Sequence, residues 1–384
     1  MSEIRKVAVF GAGVMGASIA AHIANAGVEV KLFDVATQGG SRSAIAAGAI
    51  ERLLTTDPAP LMHKRNAELI SPANIDDDMG QIADCGWIIE AIIERLDAKR
   101  ALYEKIERAR GPGSIVSSNT STIPLATLVE NLPKSFASDF LITHFFNPPR
   151  YQRLLEVVPG PDTRADALST IERFADLRLG KTPVRCKDTP GFIANRIGIY
   201  WLQCAVLQAM EAGLTIEEVD AILGSPMGAP KTGVFGLLDM VGLDLMPQVL
   251  ANMATSLSKD DPFHAVYRDF DLIKKMIGEG YTGRKGKGGF YRLKPNSPEK
   301  TKEALDLATG EYRASRKANL TSLGKARRGG LRALLQYEDK GGRYAWWVIS
   351  RTLTYAARLV PQIADDIVAV DEAMRLGYNW KYGP

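Results

Sequence analysis

KVAVFGAGVMGASIAAHIANAGVEVKLFD, residues 6–34, decides the fold. Residues 4–10 (IRKVAVF) read as a buried strand, and residues 14–26 (VMGASIAAHIANA) as a helix of small residues closed by Gly27. A second strand, EVKLFD at 29–34, follows at once, so the chain opens as β–α–β with the short links and right-handed crossover of a parallel sheet. Gly11, Gly13 and Gly16 stand between the first strand and the helix as G-x-G-x-x-G. The first glycine permits the tight turn, the second lets a pyrophosphate approach the backbone, and the third lets helix and strand pack closely. The free N–H groups opening the helix would hold the diphosphate. Asp34 ends the second strand, 18 residues past Gly16. A carboxylate there accepts from the adenosine ribose hydroxyls and repels a 2′-phosphate, so NAD is expected rather than NADP.

Working outward, residues 41–70 are helical by pattern but broken by TTDPAP at 55–60, which suggests an inserted helical pair. Strands are expected at 86–92, 113–118, 138–146, 153–159 and around 182–186, with helices at 95–110 and 165–178. After Pro190 and Gly191, which suit a hinge-like entry or a plain helix stop, the character changes. Residues 192–212 form a long apolar helix, and Thr215 with Glu218 is a capping box for the next. Residues 292–328 are polar and weakly periodic, as in a linker or surface segment. Segment 351–384 then echoes 196–236, each with an Arg-headed apolar helix followed by a Val-Asp helix, which suggests a partial second helical repeat.

The chain has 384 residues, 46% of them hydrophobic, enough for two or three domains with substantial cores. A net charge of +4 does not point to nucleic acid or a membrane surface. Cys85, Cys186 and Cys204 are too few and too scattered for a disulfide framework or a zinc site, so a reducing compartment is expected and no metal. Residues 1–10 do not read as an export signal and no window is long and apolar enough to span a membrane, so the expected location is cytoplasmic.

His144, one of four histidines, ends a strand beside Phe-Phe-Asn-Pro-Pro. Strand ends of parallel sheets carry ligands and imidazole titrates near neutrality, so His144 is a candidate general base, or else a histidine packed against aromatics. Glu156 sits inside the apolar strand LLEVV, where an unpaired carboxylate is costly. A strand pair carrying both residues would let the glutamate hold the imidazole tautomer; a surface-facing Glu156 is the alternative.

The motifs KVAVFGAGVMG (6–16), EAIIE (90–94), SNTS (118–121), HFFNPP (144–149), LLEVVP (154–159), DTPGFIANR (188–196) and GRKGKGGFY (283–291) occur in this order. Through them, residues 6–290 resemble the 3-hydroxyacyl-CoA dehydrogenase family. The resemblance implies an α/β, Rossmann-like NAD-binding domain over 1–187 and a helical substrate and dimerisation domain over 188–291. The linker or surface segment then covers 292–330 and the partial repeat 331–384. It also implies oxidation of L-3-hydroxyacyl-CoA to 3-ketoacyl-CoA in fatty acid β-oxidation or related catabolism. His144 would be the general base, oriented by Glu156, with Ser121 and Asn195 contacting the reacting oxygens. Val14 and Met15 in the Gly-rich turn, and Glu94, Lys99 and Asn119, would join Gly11, Gly13, Gly16 and Asp34 around NAD. Asn147 would shape the exit of the catalytic strand.

His63, Lys64 and Arg65 are candidate cations for CoA phosphates or a solvated basic run. GRKGKGG at 283–289 reads as a structural closure of the second domain before it reads as a phosphate site, and Phe192 and Trp201 as core residues. PAPLMHKRNAELI at 58–70 and the partial repeat further resemble long members that carry a C-terminal enoyl-CoA hydratase domain. A homodimer through the helical domain, or the repeat standing in for a partner subunit, are both expected options. Rival readings are a dehydrogenase of a non-CoA 3-hydroxy acid and an NAD-binding scaffold for a fused hydratase; the intact set of His144, Glu156, Ser121 and Asn195 speaks against the scaffold.

Overall fold

A computed structural model describes residues 4–295, 297 and 299–384. Its contacts divide the chain into two compact units: the chain up to Ile193 together with Gln362–Gly377, and Ala194–Pro361 together with Tyr378–Pro384.

The first unit is built on an eight-stranded sheet. Its strands are β1 (Lys6–Phe10), β2 (Glu29–Asp34), β3 (Ile70–Asn74), β4 (Trp87–Glu90), β5 (Ile115–Ser118), β6 (Phe140–Phe145), β7 (Leu154–Pro159) and β8 (Thr182–Arg185). They lie in the order β3-β2-β1-β4-β5-β6-β7-β8 and pair in parallel, except that β6 and β7 are antiparallel. The order reverses direction beside β1, which leaves a crevice at the carboxyl ends of β1 and β4, where doubly wound sheets bind their ligands. Val7, Val9, Ile88, Ile89, Leu141 and Ile142 are fully buried, so these central strands read as continuous apolar runs instead of alternating ones. Helices α1 (Val14–Asn25), α2 (Ala44–Leu53), α3 (Leu96–Ala109) and α4 (Ala165–Leu177) connect them.

The expected helical pair at 41–70 is corrected. Only α2 is an α-helix; Lys64–Leu69 is a 3-10 turn that runs straight into β3, a strand the pattern did not reveal. Pro72 sits inside β3 and disguises it, and is tolerated because β3 is the edge strand.

In the second unit, α5 (Ala194–Glu211) is the expected long helix, buried on most of its circumference. It leads to α6 (Ile216–Leu223), where the Glu218 backbone N–H donates to Thr215 Oγ1 (3.3 Å) and the Thr215 N–H to Glu218 Oε2 (3.0 Å), forming the capping box. Helices α7 (Phe235–Val241), α8 (Met246–Ser256) and α9 (Asp271–Gly278) follow. The polar stretch 292–328 is more ordered than a linker. It contributes to a three-stranded antiparallel sheet of β9 (Tyr291–Leu293), β10 (Lys302–Leu305) and β11 (Tyr312–Ala314), and to the start of α10 (Thr321–Leu335). The Arg292 guanidinium lies 3.6 Å from the Tyr312 ring centroid and 2.8 Å from Glu303, so charged side chains do the cross-strand packing and the segment reads as polar.

Helix α11 (Lys340–Arg358) lies along α5 and covers the apolar face expected to seek a partner subunit. The last helix, α12 (Ile367–Gly377), packs instead on β7 and β8 of the first unit, so the segment 331–384 does not form one contiguous body. The Lys187 N–H donates to the Ile363 carbonyl (2.9 Å) and Lys187 pairs with Asp365, which ties this segment beside β8.

Candidate active site

Gly11 follows β1 with φ +99°, a conformation costly for any side chain. A Cβ on it would also lie 2.4 Å from the Ala91 carbonyl oxygen, because β1 and β4 exit side by side. A Cβ on Gly16 would lie 1.8 Å from the Gly11 oxygen, whereas nothing approaches within 4 Å of one on Gly13. Gly11 and Gly16 are thus required by packing, and Gly13 keeps an open place beside the backbone. Val14 is 72% exposed at the start of α1 with Met15 half-buried behind it. Asp34 accepts from the Ala12 N–H (Oδ2, 2.6 Å) and the Val35 N–H (Oδ1, 2.7 Å), which holds its carboxylate at the crevice with lone pairs to spare. Bare N–H groups, an open glycine and a fixed carboxylate suit a dinucleotide with free ribose hydroxyls.

Glu94 and Lys99 pair at 3.2 Å, but the closer partner of Lys99 is Glu90. Lys99 is 1% exposed and its Nζ donates to Glu90 Oε1 at 2.6 Å. Glu90 is fully buried and accepts further from Tyr103 Oη (2.7 Å), Ser118 Oγ (2.6 Å) and the Ile92 N–H (2.8 Å). This hub joins the ends of β4 and β5 to α3. Sequence reasoning passed over it, although a glutamate ending the apolar run WIIE was a visible signal. Glu94 accepts from Thr120 Oγ1 and from Thr122 Oγ1 (2.9 Å). Burial pushes the Glu94 carboxyl up, but Lys99 and the two threonine hydroxyls outweigh it and hold it below the ordinary range.

Asn119 Oδ1 accepts from the Phe145 N–H (2.8 Å), so this residue, expected near the cofactor, also ties the exit of β5 to that of β6. Ser121 follows; its N–H faces Glu94 (3.3 Å). The β6/β7 register sets His144 directly opposite Glu156. His144 Nδ1 lies 2.7 Å from Glu156 Oε2, and Glu156 Oε1 accepts from the Ile193 N–H (3.1 Å). Glu156 is fully buried and His144 6% exposed, with Phe146 and Phe192 rings at 4.5 and 5.7 Å. A carboxylate can only accept, so Nδ1 carries the proton and Nε2 is left basic. Asn147 begins the turn that follows β6.

Asn195 is carried by the second unit, half-buried in the first turn of α5. Pro190 and Gly191 lie in the turn preceding α5, with Gly191 at φ +75°. Trp201 is buried, as expected of a core residue. The GRKGKGG segment is structural: Gly283 and Gly288 bridge, Lys285 pairs with Asp244 (2.8 Å), and Asp239 accepts from the N–H groups of Phe290 and Tyr291. His63 caps the 3-10 turn through Nδ1 (3.1 Å from Arg65 N), leaving Lys64 and Arg65 exposed. Cys85, Cys186 and Cys204 are buried free thiols, and among the described residues no group of His, Cys, Asp and Glu could hold a metal ion. No helix of the described residues is long and apolar enough to cross a membrane.

A doubly wound sheet with a dinucleotide turn at its switch point and a buried histidine–carboxylate pair at a neighbouring strand end defines an NAD-binding dehydrogenase. Residues 6–189 match the family model described as 3-hydroxyacyl-CoA dehydrogenase, NAD binding domain, and residues 191–293 the one described as 3-hydroxyacyl-CoA dehydrogenase, C-terminal domain. The chain belongs to the 3-hydroxyacyl-CoA dehydrogenase family. It is 40% identical over 291 residues to a probable 3-hydroxyacyl-CoA dehydrogenase of Deinococcus radiodurans, covering 76% of this chain and 83% of that one. A putative fatty acid oxidation complex trifunctional enzyme of Rickettsia felis is 39% identical over all of this chain, which spans about half (52%) of that protein's length. Among solved structures, 3-hydroxybutyryl-CoA dehydrogenase of Escherichia coli K12 shares the fold, with a TM-score of 0.75 at 24% identity over 100% of this chain and 90% of that one.

Proposed function

We propose that this chain catalyses the NAD-dependent oxidation of L-3-hydroxyacyl-CoA thioesters to 3-ketoacyl-CoA, with His144 as general base. The observation that carries the reading is the His144–Glu156 pair, 2.7 Å apart and set directly opposite on β6 and β7. NAD, when bound, supplies the hydride acceptor; the Gly11–Gly16 turn, Asp34, Glu94, Lys99 and Asn119 are the residues proposed to hold it. Nε2 of His144 removes the proton of the 3-hydroxyl as C3 is oxidised, and Glu156 stabilises the imidazolium that forms. Phe146 and Phe192 keep water from the pair, which strengthens its electrostatics. Ser121 and Asn195 offer hydroxyl and amide groups suited to the reacting oxygens without adding a competing base.

The trifunctional name of the Rickettsia felis relative supports a further reading, that in a longer polypeptide this dehydrogenase is joined to a hydratase domain. Burial of α5 by α11 supports a helical unit that does not require a second subunit on that face. Three buried, unpaired thiols support a reducing, cytoplasmic setting.

The test follows NADH absorbance with L-3-hydroxybutyryl-CoA and with a long-chain L-3-hydroxyacyl-CoA, against free 3-hydroxybutyrate. Turnover confined to thioesters and abolished by His144→Ala is expected. Turnover of the free acid alone, or none with either thioester despite NAD binding, would overturn the reading.

A further inference from the structure

The strand that carries His144 leaves the sheet through residues 146–153 before β7 begins. Pro148 and Pro149 supply no N–H there, so the connection is short of donors with which to fix itself. The N–H groups of Tyr151 and Gln152 both donate to the Pro148 carbonyl, at 2.9 and 3.1 Å. The carbonyls of Pro149 and Gln152 are met by a side chain from elsewhere, that of Lys181 in the link between α4 and β8. Its Nζ donates to both, at 2.5 Å to Gln152, and lies 5.7 Å from the ring centroid of Phe145, the neighbour of His144.

Lys181 is 2% exposed, and burial pushes its ammonium down to about 8, so it keeps its proton at neutral pH. Its titratable and charged neighbours are Arg150 and His22 of α1; burial, with the Lys181 charge, pushes the His22 imidazole down to about 3, so neither supplies an anion. An ammonium buried without a carboxylate is costly, and here two turn carbonyls and an aromatic face are what offset the cost. The outer side of the same turn is held as well. Arg150 Nη1 donates to the carbonyls of Ala59 (2.7 Å) and Leu61 (3.0 Å), and the Tyr151 hydroxyl donates to Ala59 (3.0 Å). The turn does not set the opposition of His144 and Glu156, which comes from the β6/β7 register. It sets the first residue of the connection, Phe146, whose ring meets the imidazole at 4.5 Å and 61°.

We propose that Lys181 is a positioning residue for the dehydrogenase reaction, which holds Phe146 edge-on against His144 by clamping the turn that follows the catalytic strand. This rests on the reading of His144 as general base. Lys181 touches neither the imidazole nor Glu156; it acts through the Pro149 and Gln152 carbonyls on the backbone that leads to Phe146, and so on the exclusion of water from the pair.

The test uses the 384-residue protein and two readouts. One is kcat with L-3-hydroxybutyryl-CoA at pH 7, expressed per NADH-binding site counted by fluorescence titration. The other is the Hε1 resonance of His144 in protein labelled at its four histidines, identified by its loss in His144→Ala. Lys181→Met is expected to lower kcat per site about tenfold or more and to move the resonance towards its position in Phe146→Leu, because both variants lose the ring current of a fixed Phe146. The double variant Lys181→Met/Phe146→Leu should be no slower than the slower single, since the two changes break one path. A lysine that only stabilises the fold would lower Tm and the number of sites while leaving kcat per site and the resonance unchanged; that outcome, or multiplied losses in the double variant, overturns the proposal. Should Lys181→Met not fold, Arg150→Met loosens the same turn from its outer side and carries the same expectations. The resonance needs no substrate. A wild-type protein that turns over no thioester therefore overturns the reading of His144, while the resonance still decides whether Lys181 places Phe146.

Discussion

His144 and Glu156 occupy directly opposed positions of two antiparallel strands, Nδ1 to Oε2 at 2.7 Å, so the geometry of the pair is set by sheet register and not by a loop. A shift of one residue in either strand would turn that strand's member of the pair to the opposite face of the sheet and separate the two. Glu156→Gln keeps the volume but removes the charge that stabilises the imidazolium, and its amide can present an N–H to Nδ1. We expect kcat to fall about 10²–10⁴-fold with the NAD dissociation constant nearly unchanged, measured by steady-state kinetics and by fluorescence titration of NADH.

The glycines of the first turn separate fold from binding. Gly16→Ala puts a methyl 1.8 Å from the Gly11 carbonyl oxygen, so the α1–β1 packing must open and the thermal midpoint should drop. Gly13→Ala meets nothing within 4 Å in the protein, so Tm should hold while NAD affinity falls about tenfold or more. Calorimetry of both variants with and without NAD checks this; equal loss of stability in the two would contradict it.

Glu90 and Lys99 form a buried pair in which each oxygen of the carboxylate is fully used. Removing one charge strands the other, so Lys99→Met or Glu90→Gln alone should cost about 3–5 kcal/mol in denaturant unfolding. The double variant should cost less than the two singles combined, because neither member of the Glu90–Lys99 pair is left stranded, whereas the loss of Lys99 to Glu94 is common to Lys99→Met and to the double variant.

Glu217 in α6 accepts from both Arg313 Nη1 and Nη2 at 2.8 Å and from the Arg316 N–H at 2.8 Å. Burial alone would raise its carboxyl, but these donors outweigh it and hold it down to about 2, against 4.5 ordinarily. The folded state therefore binds this proton more weakly than the unfolded chain. The contribution is complete above about pH 4.5 and is lost as pH falls towards 2. Unfolding free energy should decline by roughly 2–3 kcal/mol across that window from this group, and Glu217→Gln should flatten that part of the profile.

Sequence alone determined the opening β–α–β unit, because Gly11, Gly13, Gly16 and Asp34 act through backbone conformation and strand ends that are local in the chain. It also raised His144 and Glu156 as candidate partners, since a carboxylate in an apolar strand needs one, but left a packed histidine and a surface-facing glutamate open. The parts it hid were those in which side-chain chemistry contradicts the local pattern. β3 was masked by Pro72, which only an edge position tolerates, and β9–β11 by charged residues that pack across strands. Glu90 was passed over because its donors come from β5 and α3 and meet only when the sheet assembles. The echo between 196–236 and 351–384 was legible as a pattern, but the parting of α11 and α12 onto different units was not. An amphipathic helix states that it has a face to bury; which surface buries it is settled by long-range packing.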